Sequence, residues 1–345
     1  LSGILQVAIM TDGKQLGCDE DCYFCPKQKN YPRSYLKEEP GTKRAEQEGF
    51  DPVRQVRNRL TSYTINGHEI DKLEIIIIGG TWSFYKPEYQ EKFITGIYYA
   101  ANTWFHPREE MYDLETEQKI NETAFVKIIG LSIETRPDYI LEKEVMSYIR
   151  YGVTRVQVGV QTLDDRLLKK VNRGCYSKHT RNALKNLHDS CLKSMIHIMP
   201  NLPGTTPEID KHTFMELIHN PDYQADEWKI YPTSVTTTSD KDIEKVNTVI
   251  EKWYLEGSYV PYDNETLKEV IKTAKREIGE ETRIARVFRD IPKPNIIGGA
   301  NIPHLRQIIQ QEMAEDGEYC KCIRCREIKN TNFNKSDITY KYSYK

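Results

Sequence analysis

The sequence predicts an α/β fold, a partial parallel (β/α)6 barrel with a small cysteine-containing appendage at the C-terminal end. Short apolar segments alternate with amphipathic helical segments up to about residue 240, which is typical of a parallel sheet covered by helices. About six such units are present, whereas a closed barrel usually needs eight. Beyond residue 240 the alternation gives way to helices, a Pro/Gly-rich segment and a group of cysteines.

Six apolar segments are predicted as strands: 4–10, 72–79, 126–134, 154–160, 194–200 and 227–233. Helical patterns lie between them at 51–65, 87–104, 138–150, 164–171, 177–192 and 208–219, and later at 241–255, 264–278 and about 303–313. Ligands in such folds bind at the carboxyl ends of the strands. The loops after the strands are therefore the candidates for a functional site.

The composition excludes a membrane-spanning protein, and the net charge does not indicate a strongly basic protein. The 345 residues carry a net charge of −2, and the longest apolar run, 75–78, is too short to cross a bilayer. The eight cysteines form two tight clusters and two singles, Cys175 and Cys191. Large intracellular enzymes use such clusters for metals more often than for disulfides. We therefore expect a reducing compartment, the cytoplasm or also the nucleus, and no membrane partner.

The first cluster, in GCDEDCYFCP (17–26), offers three thiols, those of Cys18, Cys22 and Cys25. A structural zinc ion takes four ligands. A cubane iron–sulfur cluster bound by only three cysteines keeps one iron open for a small molecule. The loop follows the first predicted strand and so lies at the mouth of the barrel, which favours the iron–sulfur interpretation. The alternative is a zinc knuckle with a distant fourth ligand.

The spacing C-x3-C-x2-C, with Phe24 before the last cysteine, resembles the radical S-adenosylmethionine (SAM) superfamily. The resemblance implies a [4Fe–4S] cluster whose open iron binds SAM, and a 5′-deoxyadenosyl radical made from it. Two glycines and a threonine end the second strand: Gly79, Gly80 and Thr81. In the superfamily this turn contacts the SAM amino group, although Thr81 lacks the usual carboxylate. The alternative is a plain strand-ending turn.

Longer segments resemble one family, the catalytic subunit of Elongator, which modifies the wobble uridine of tRNA. They run in family order at 1–10, 39–45, 50–60, 67–82, 133–140, 151–162, 172–174, 197–210, 220–233, 286–294 and 322–328. The resemblance implies that an acetyl radical derived from acetyl-CoA adds to carbon 5 of uridine 34. The expected partners are the tRNA anticodon stem-loop and Elongator-type subunits.

The family motifs also imply roles for single residues. Glu134, Gln161 and Arg173 are expected to face SAM, or else to form a hydrogen-bond network at the barrel mouth. Arg136 either positions the SAM carboxylate or anchors its own turn. Lys72 matches a lysine assigned to acetyl-CoA, the alternative being a solvated lysine at the start of a strand.

Two departures from the family pattern matter. CPKQ replaces the usual CPGG after the third cysteine, and the gap between the first two cysteines is shorter than in eukaryotic members. The sequence ends soon after CREI, so we expect the C-terminal acetyltransferase-like domain to be absent from it, either removed or naturally missing; in the second case acetyl-CoA use is in doubt. Two alternatives follow: a tRNA-binding module with little or no turnover, and a radical SAM tRNA enzyme with a different co-substrate.

We divide the sequence into a radical SAM core (1–285), a C-terminal linker with a cysteine cluster (286–330) and a disordered tail (331–345). The cluster consists of Cys320, Cys322 and Cys325. Several family members hold a structural zinc ion at this place, and a fourth ligand would be needed. His304 is the nearest upstream histidine, but the sequence does not select it. The alternative is surface thiols without a metal.

A basic segment follows the first cysteine cluster. From residue 27 to 59, nine Lys/Arg face five Asp/Glu, with Tyr31 and Tyr35 interleaved. Basic groups there would bind phosphates of the anticodon stem, and an aromatic ring would stack on a splayed base. The alternative is an ordinary charged surface. The candidate RNA contacts are Lys27, Lys29, Arg33, Arg54 and Arg57.

Overall fold

A computed structural model describes residues 3–15, 18–237, 248–328, 332–340 and 342. The strands are β1 (Leu5–Met10), β2 (Lys72–Ile78), β3 (Lys127–Thr135), β4 (Arg155–Gln161), β5 (Lys193–Ile198), β6 (Glu227–Ile230), β7 (Ser234–Thr236), β8 (Arg283–Val287) and β9 (Ile296–Gly299). Strands β1 to β6 and β8 form one sheet in chain order, each parallel to its neighbours. Strands β7 and β9 form a separate antiparallel pair.

The described residues form eleven α-helices; most of them cover the outer face of the sheet, whereas the first, Pro40–Gln47, borders the cavity on the inner face. They are α1 (Pro40–Gln47), α2 (Pro52–Ile65), α3 (Pro87–Asn102), α4 (Leu114–Asn121), α5 (Glu142–Arg150), α6 (Asp165–Lys170), α7 (Ser177–Asp189), α8 (Pro207–His219), α9 (Val249–Leu255), α10 (Asn264–Glu277) and α11 (Leu305–Glu315). Several helices begin at a residue whose side chain caps the helix. The Asp51 side chain accepts a hydrogen bond from the Arg54 amide at the start of α2, and the Thr206 side chain accepts one from the Ile209 amide at the start of α8. Within the described ranges, no helix combines the length and apolar character needed to cross a bilayer.

The predicted fold class is confirmed, and the sheet has one strand more than expected. All six predicted strands are present, and β8 adds a seventh next to β6. Its sequence, RIARV, buries Ile284 and Val287 and places Arg283 and Arg286 at the cavity on the inner face. The alternation of arginine with apolar residues hid this strand from a search for apolar segments. The seven strands curl into a half-barrel whose edges are β1 and β8.

The other differences concern segments outside the sheet. Helices α1 and α4 were not predicted. The helix predicted at 241–255 is present from 249, and residues 241–247 lie outside the described residues. Strand β8 crosses the boundary placed at residue 285, and the division into domains stays a prediction. The predicted tail, 331–345, lies partly outside the described residues, and its described positions are all exposed.

Strand alternation separates the core from the cavity. On β2, Leu73, Ile75 and Ile77 are almost fully buried on the helix-covered face, whereas Ile76 and Ile78 line the cavity on the concave face. The same period of two along the neighbouring strands turns one face outward to the helices and the other inward. Polar residues on the concave face are therefore directed to one shared space.

The loop that carries the first three cysteines, residues 18–25 (the cysteine loop), is held by distant parts of the chain. The Tyr23 amide donates to the carbonyl of Val171 at 2.9 Å, and the Ile250 amide donates to the carbonyl of Tyr23 at 3.2 Å.

A second set of contacts joins the two edges of the half-barrel. Arg289, just after β8, donates to Ser34 Oγ at 2.8 Å and to Glu39 Oε1 at 2.9 Å.

Candidate active site

A cavity of about 1680 Å³ fills the concave side of the half-barrel. At the carboxyl ends of the strands it is lined by Phe24, Glu134 and Gln161, three of the residues predicted for this site. It continues past a polar layer to the amino ends of the strands, where Glu74 and Arg155 line it. The position of the cysteine loop at the mouth agrees with the placement of ligands in parallel β/α folds.

The cysteine loop faces two buried guanidinium groups. Arg173 Nη1 lies 3.4 Å and Arg136 Nη1 3.7 Å from the sulfur of Cys22, which is 6% exposed. Burial, reinforced by the neighbouring Cys22, raises the pKa of the Cys25 thiol to about 12. Cys25 therefore keeps its proton in the metal-free protein and would lose it on binding a metal.

The donor set fits an iron–sulfur cluster better than a single zinc ion. The sulfurs of Cys18, Cys22 and Cys25 are not gathered within 4.8 Å of one another, whereas those of the second cluster are. Ligands of one tetrahedral ion must converge on one point. The cysteines of a cubane each bind a different iron, so their sulfurs stand further apart. The two guanidinium groups are placed to balance the negative charge of the thiolates.

Arg136 anchors its own turn and also faces the cysteine loop, while its expected contact with the SAM carboxylate stays a prediction. It anchors its turn by donating from Nε to Asp138 Oδ1 at 3.0 Å and from Nη2 to Oδ2 at 2.9 Å. Its Nη1 faces Cys22, and the side chain is 2% exposed. Arg173 donates to the Gly159 carbonyl at 2.6 Å. Its buried Nε has no hydrogen-bond partner among the described residues.

Glu134 and Gln161 present polar groups to the cavity. The Tyr35 hydroxyl donates to Glu134 Oε2 at 3.3 Å, and burial raises the pKa of this carboxyl group. Gln161 ends β4 with a φ of 73°, and its buried Oε1 has no partner in the described part of the chain. A buried acceptor without a partner is uncommon in proteins. A ligand with a hydrogen-bond donor would satisfy it.

The glycine turn after β2 is a place of close backbone packing. Gly79 and Gly80 have φ values of 131° and 93°. A Cβ on Gly79 would overlap the Thr11 hydroxyl, and one on Gly80 would lie 3.4 Å from the Arg33 carbonyl oxygen. Thr81 is buried. The turn therefore supports the loop that follows β1, and its predicted contact with SAM stays a prediction.

The structure also brings together inward-facing residues that the sequence analysis did not select. Gln157 on β4, His197 on β5 and Lys229 on β6 form a polar layer with Glu134 and Tyr231. Burial lowers the pKa of His197 well below its usual value, with Lys229 adding to the effect, so the imidazole is neutral. In the sequence, the signal that could have identified these residues was a polar residue within an otherwise apolar strand, at a position that faces the inside of the barrel.

Other residues that were predicted for the site lie outside the cavity. Lys72 is exposed at the amino end of β2, opposite the cysteine loop, and pairs with Asp71. Lys27, Lys29, Arg54 and Arg57 are exposed, and the Arg57 guanidinium lies over the ring of Tyr99. Arg33 instead turns toward the cysteine loop and donates to the Glu20 carbonyl. Of the interleaved aromatics, Tyr35 faces the cavity.

The second cysteine cluster is a separate, compact site. The sulfurs of Cys320, Cys322 and Cys325 all lie within 4.8 Å of one another. Lys275 Nζ, Arg306 Nη2 and Gln310 Nε2 donate to Cys325 Sγ at 3.6, 3.5 and 3.3 Å. In the described residues no histidine or carboxylate joins this group, and the candidate ligand His304 is exposed at the start of α11.

Comparison with known proteins adds the family. The radical SAM superfamily model matches residues 14–215, and a radical SAM C-terminal domain matches 225–315. A tRNA uridine(34) acetyltransferase of Methanocaldococcus infernus is 38% identical over 97% of this chain and 61% of its own length. The corresponding enzyme of Dehalococcoides mccartyi is 38% identical over 95% of this chain and 68% of its own. Human Elongator complex protein 3 is 31% identical over 89% of this chain and 54% of its own length.

The fold comparison agrees. The solved structure of the archaeal Methanocaldococcus infernus Elp3 with an N-terminal deletion (1–46) superposes with a TM-score of 0.79 at 35% identity, covering 95% of this chain and 66% of that chain. The chain thus spans about 60% of the length of the archaeal relatives that it matches. By these matches the chain belongs to the radical SAM superfamily, which implies a [4Fe–4S] cluster and SAM, and within it to the family of tRNA uridine(34) acetyltransferases and Elongator complex protein 3.

Proposed function

We propose that this protein is a radical SAM enzyme that modifies the wobble uridine of tRNA at carbon 5, giving a carboxymethyl-type product. The observation that carries the proposal is the cysteine loop at the mouth of the cavity, with Cys22 between two guanidinium groups. A bound cluster and SAM would together supply a 5′-deoxyadenosyl radical. Cys18, Cys22 and Cys25 would hold the cluster.

The chain's own residues would bind and orient SAM around this loop. Gln161 offers an unpartnered acceptor to the amino group or ribose of SAM, and Glu134 offers a carboxyl group. Phe24, beside the third cysteine, provides an apolar wall. The half-barrel leaves one side open, through which a flipped-out base would enter the cavity, as enzymes that act on a base require.

The substrate and partners are proposed on the strength of the relatives. The matched relatives are named tRNA uridine(34) acetyltransferase and Elongator complex protein 3. We therefore propose tRNA as substrate, an acetyl-CoA-derived acyl group as the donated group, and a location inside the cell where tRNA is found. The exposed cations Lys27, Lys29, Arg54 and Arg57 would contact the anticodon stem, and association with Elongator-type subunits is proposed on the same basis.

We also propose a structural zinc ion at Cys320, Cys322 and Cys325. Three converging sulfurs supply three positions of a tetrahedral site. The two cations at Cys325, Lys275 and Arg306, would stabilise the thiolates. The fourth ligand would be water or a residue from outside the described ranges.

Anaerobic reconstitution with iron and sulfide tests the enzyme. We expect a brown protein that cleaves SAM to 5′-deoxyadenosine under reduction, faster with tRNA present, and a new 5-substituted uridine in the digested tRNA by mass spectrometry. Cys22→Ala should lose the iron and the cleavage, while Cys191→Ala, at an exposed lone cysteine, should keep both. An iron-loaded wild type that forms no 5′-deoxyadenosine would refute the proposal.

A further inference from the structure

The strand register builds a polar layer across the inner face of the half-barrel. Glu134 on β3 pairs with Gln157 on β4, His197 on β5 pairs with Lys229 on β6, and Lys229 pairs with Arg286 on β8. These five side chains and that of Tyr231 make up the layer, and all of them line the cavity between the cysteine loop and the amino ends of the strands. The layer thus forms the polar floor of the cavity, and Phe24 and Gln161 lie above it.

Within this layer, Lys229 is held in place by a neutral group. Lys229 Nζ donates to Gln157 Oε1, which also accepts from His197 Nε2 at 3.1 Å. Gln157 Nε2 donates to Ser132 Oγ at 2.9 Å, which fixes the orientation of the amide. The ammonium group has three N–H donors, and Gln157 takes one of them. The others are available to a ligand in the cavity.

The charge of Lys229 is balanced less directly than that of its neighbours. Arg286 pairs with Asp290 at 3.0 Å, and Arg289 pairs with Glu39 at 2.9 Å. For Lys229, no carboxylate in the described ranges lies within ion-pair distance; it donates a hydrogen bond to the amide of Gln157, and the carboxyl groups of Glu134 and Glu227 act on it only from further away. Burial lowers the pKa of Lys229 to about 8, so the amine remains mostly charged at neutral pH. A partly desolvated cation of this kind attracts an anion.

We propose that Lys229 binds the carboxylate of the carboxymethyl group that the enzyme attaches to the wobble uridine. This inference rests on the proposed function, which places a uridine with a carboxylate at carbon 5 in the chamber. The unmodified base offers only neutral carbonyl oxygens to Lys229, and a charge-assisted hydrogen bond to a carboxylate is stronger. Lys229 is thereby a positioning residue that recognises the transferred group.

Binding of synthetic anticodon stem-loops tests this role without turnover. Two loops that differ only at position 34, carrying uridine or 5-carboxymethyluridine, are titrated against the full chain by fluorescence anisotropy. We expect the wild type to bind the carboxymethyl loop about tenfold or more tighter. Lys229→Met should abolish the difference and leave affinity for the unmodified loop unchanged, while Lys229→Arg should retain part of the preference.

Lys193→Met is the matched control, because Lys193 lines the same cavity at the amino ends of the strands. It should keep the full preference, and circular dichroism should show all variants folded. A wild type that binds both loops equally, or a Lys229→Met variant that keeps the preference, overturns the inference alone. If Lys229→Met weakened the binding of both loops equally, Lys229 would contact the base itself and not the carboxymethyl group. This result would also overturn the inference. If neither loop binds, the proposed function itself fails.

Discussion

The glycine turn after β2 allows a quantitative test of how the site is supported. Gly79 has a φ of 131°, a conformation that residues with a side chain rarely adopt. A Cβ at this position would overlap Thr11 Oγ1 and would lie 3.2 Å from both the Cβ and the amide nitrogen of Thr11. Thr11 cannot easily move away, because its hydroxyl is hydrogen-bonded to the Tyr85 hydroxyl at 2.7 Å.

The expected cost of Gly79→Ala has two parts. The unfavourable backbone conformation costs about 1–3 kcal/mol, and overpacking against Thr11 costs about 1–3 kcal/mol. The sum, about 2–6 kcal/mol, corresponds to a fall in Tm of roughly 4–12 °C at about 2 °C per kcal/mol for a large chain. Because the same turn supports the loop after β1, we also expect weaker SAM binding.

Thermal unfolding followed by circular dichroism measures the effect, with Gly41→Ala as the matched control. Gly41 lies in the first turn of α1, and a Cβ there would be 3.8 Å from its nearest neighbour, so its replacement should be neutral or slightly stabilising. In a double-mutant cycle, Thr11→Ala should recover part of the cost of Gly79→Ala. A Gly79→Ala protein as stable as Gly41→Ala would refute the reasoning.

Three further predictions concern buried charges and the second cysteine cluster. Arg108→Met should lower the free energy of unfolding in urea by about 3 kcal/mol, since it leaves the fully buried carboxylate of Glu117 without its cation. Cys322→Ser should remove bound zinc, measured by mass spectrometry of the metal, while Cys191→Ser should leave the zinc content unchanged. The pKa of Lys229 is lowered from 10.5 to about 8, so between these pH values the unfolded chain holds more protons than the folded one. Wild-type stability, measured against Lys229→Met, should therefore rise with pH across that window, and a flat difference would contradict the lowered pKa.

The sequence was sufficient to predict the sheet because most of its strands are apolar runs. Strand β8 escaped because arginines occupy positions at the cavity, and in a one-dimensional pattern an inward arginine looks like a solvent-exposed one. The cysteine loop was predicted because its spacing is local. Its position after the first strand then placed it at the mouth of the barrel.

The polar layer could not be predicted in the same way. His197 and Lys229 lie on different strands and are adjacent only through the β5–β6 register. Whether a polar side chain on a strand faces solvent or an enclosed chamber depends on the curl of the whole sheet, which no short segment encodes. The contact of Arg289 with Ser34 joins residues 255 positions apart, and nothing in either segment indicates the other.

The long-range ties of the cysteine loop have a consequence for synthesis of the chain. The supports of the loop lie far after it in the chain: they are Val171, Arg173, Ile250 and, through the following segment, Arg289. During translation these partners emerge one after another, so the loop gains its full set of contacts only when the segment around Arg289, more than 260 residues later, has been made. The thiols lack both guanidinium groups until Arg136 and Arg173 have been made, and they lack part of the enclosing wall until Ile250 and Arg289 have been made. The pocket around the three cysteines is therefore completed stepwise, and its last support is made long after the loop itself.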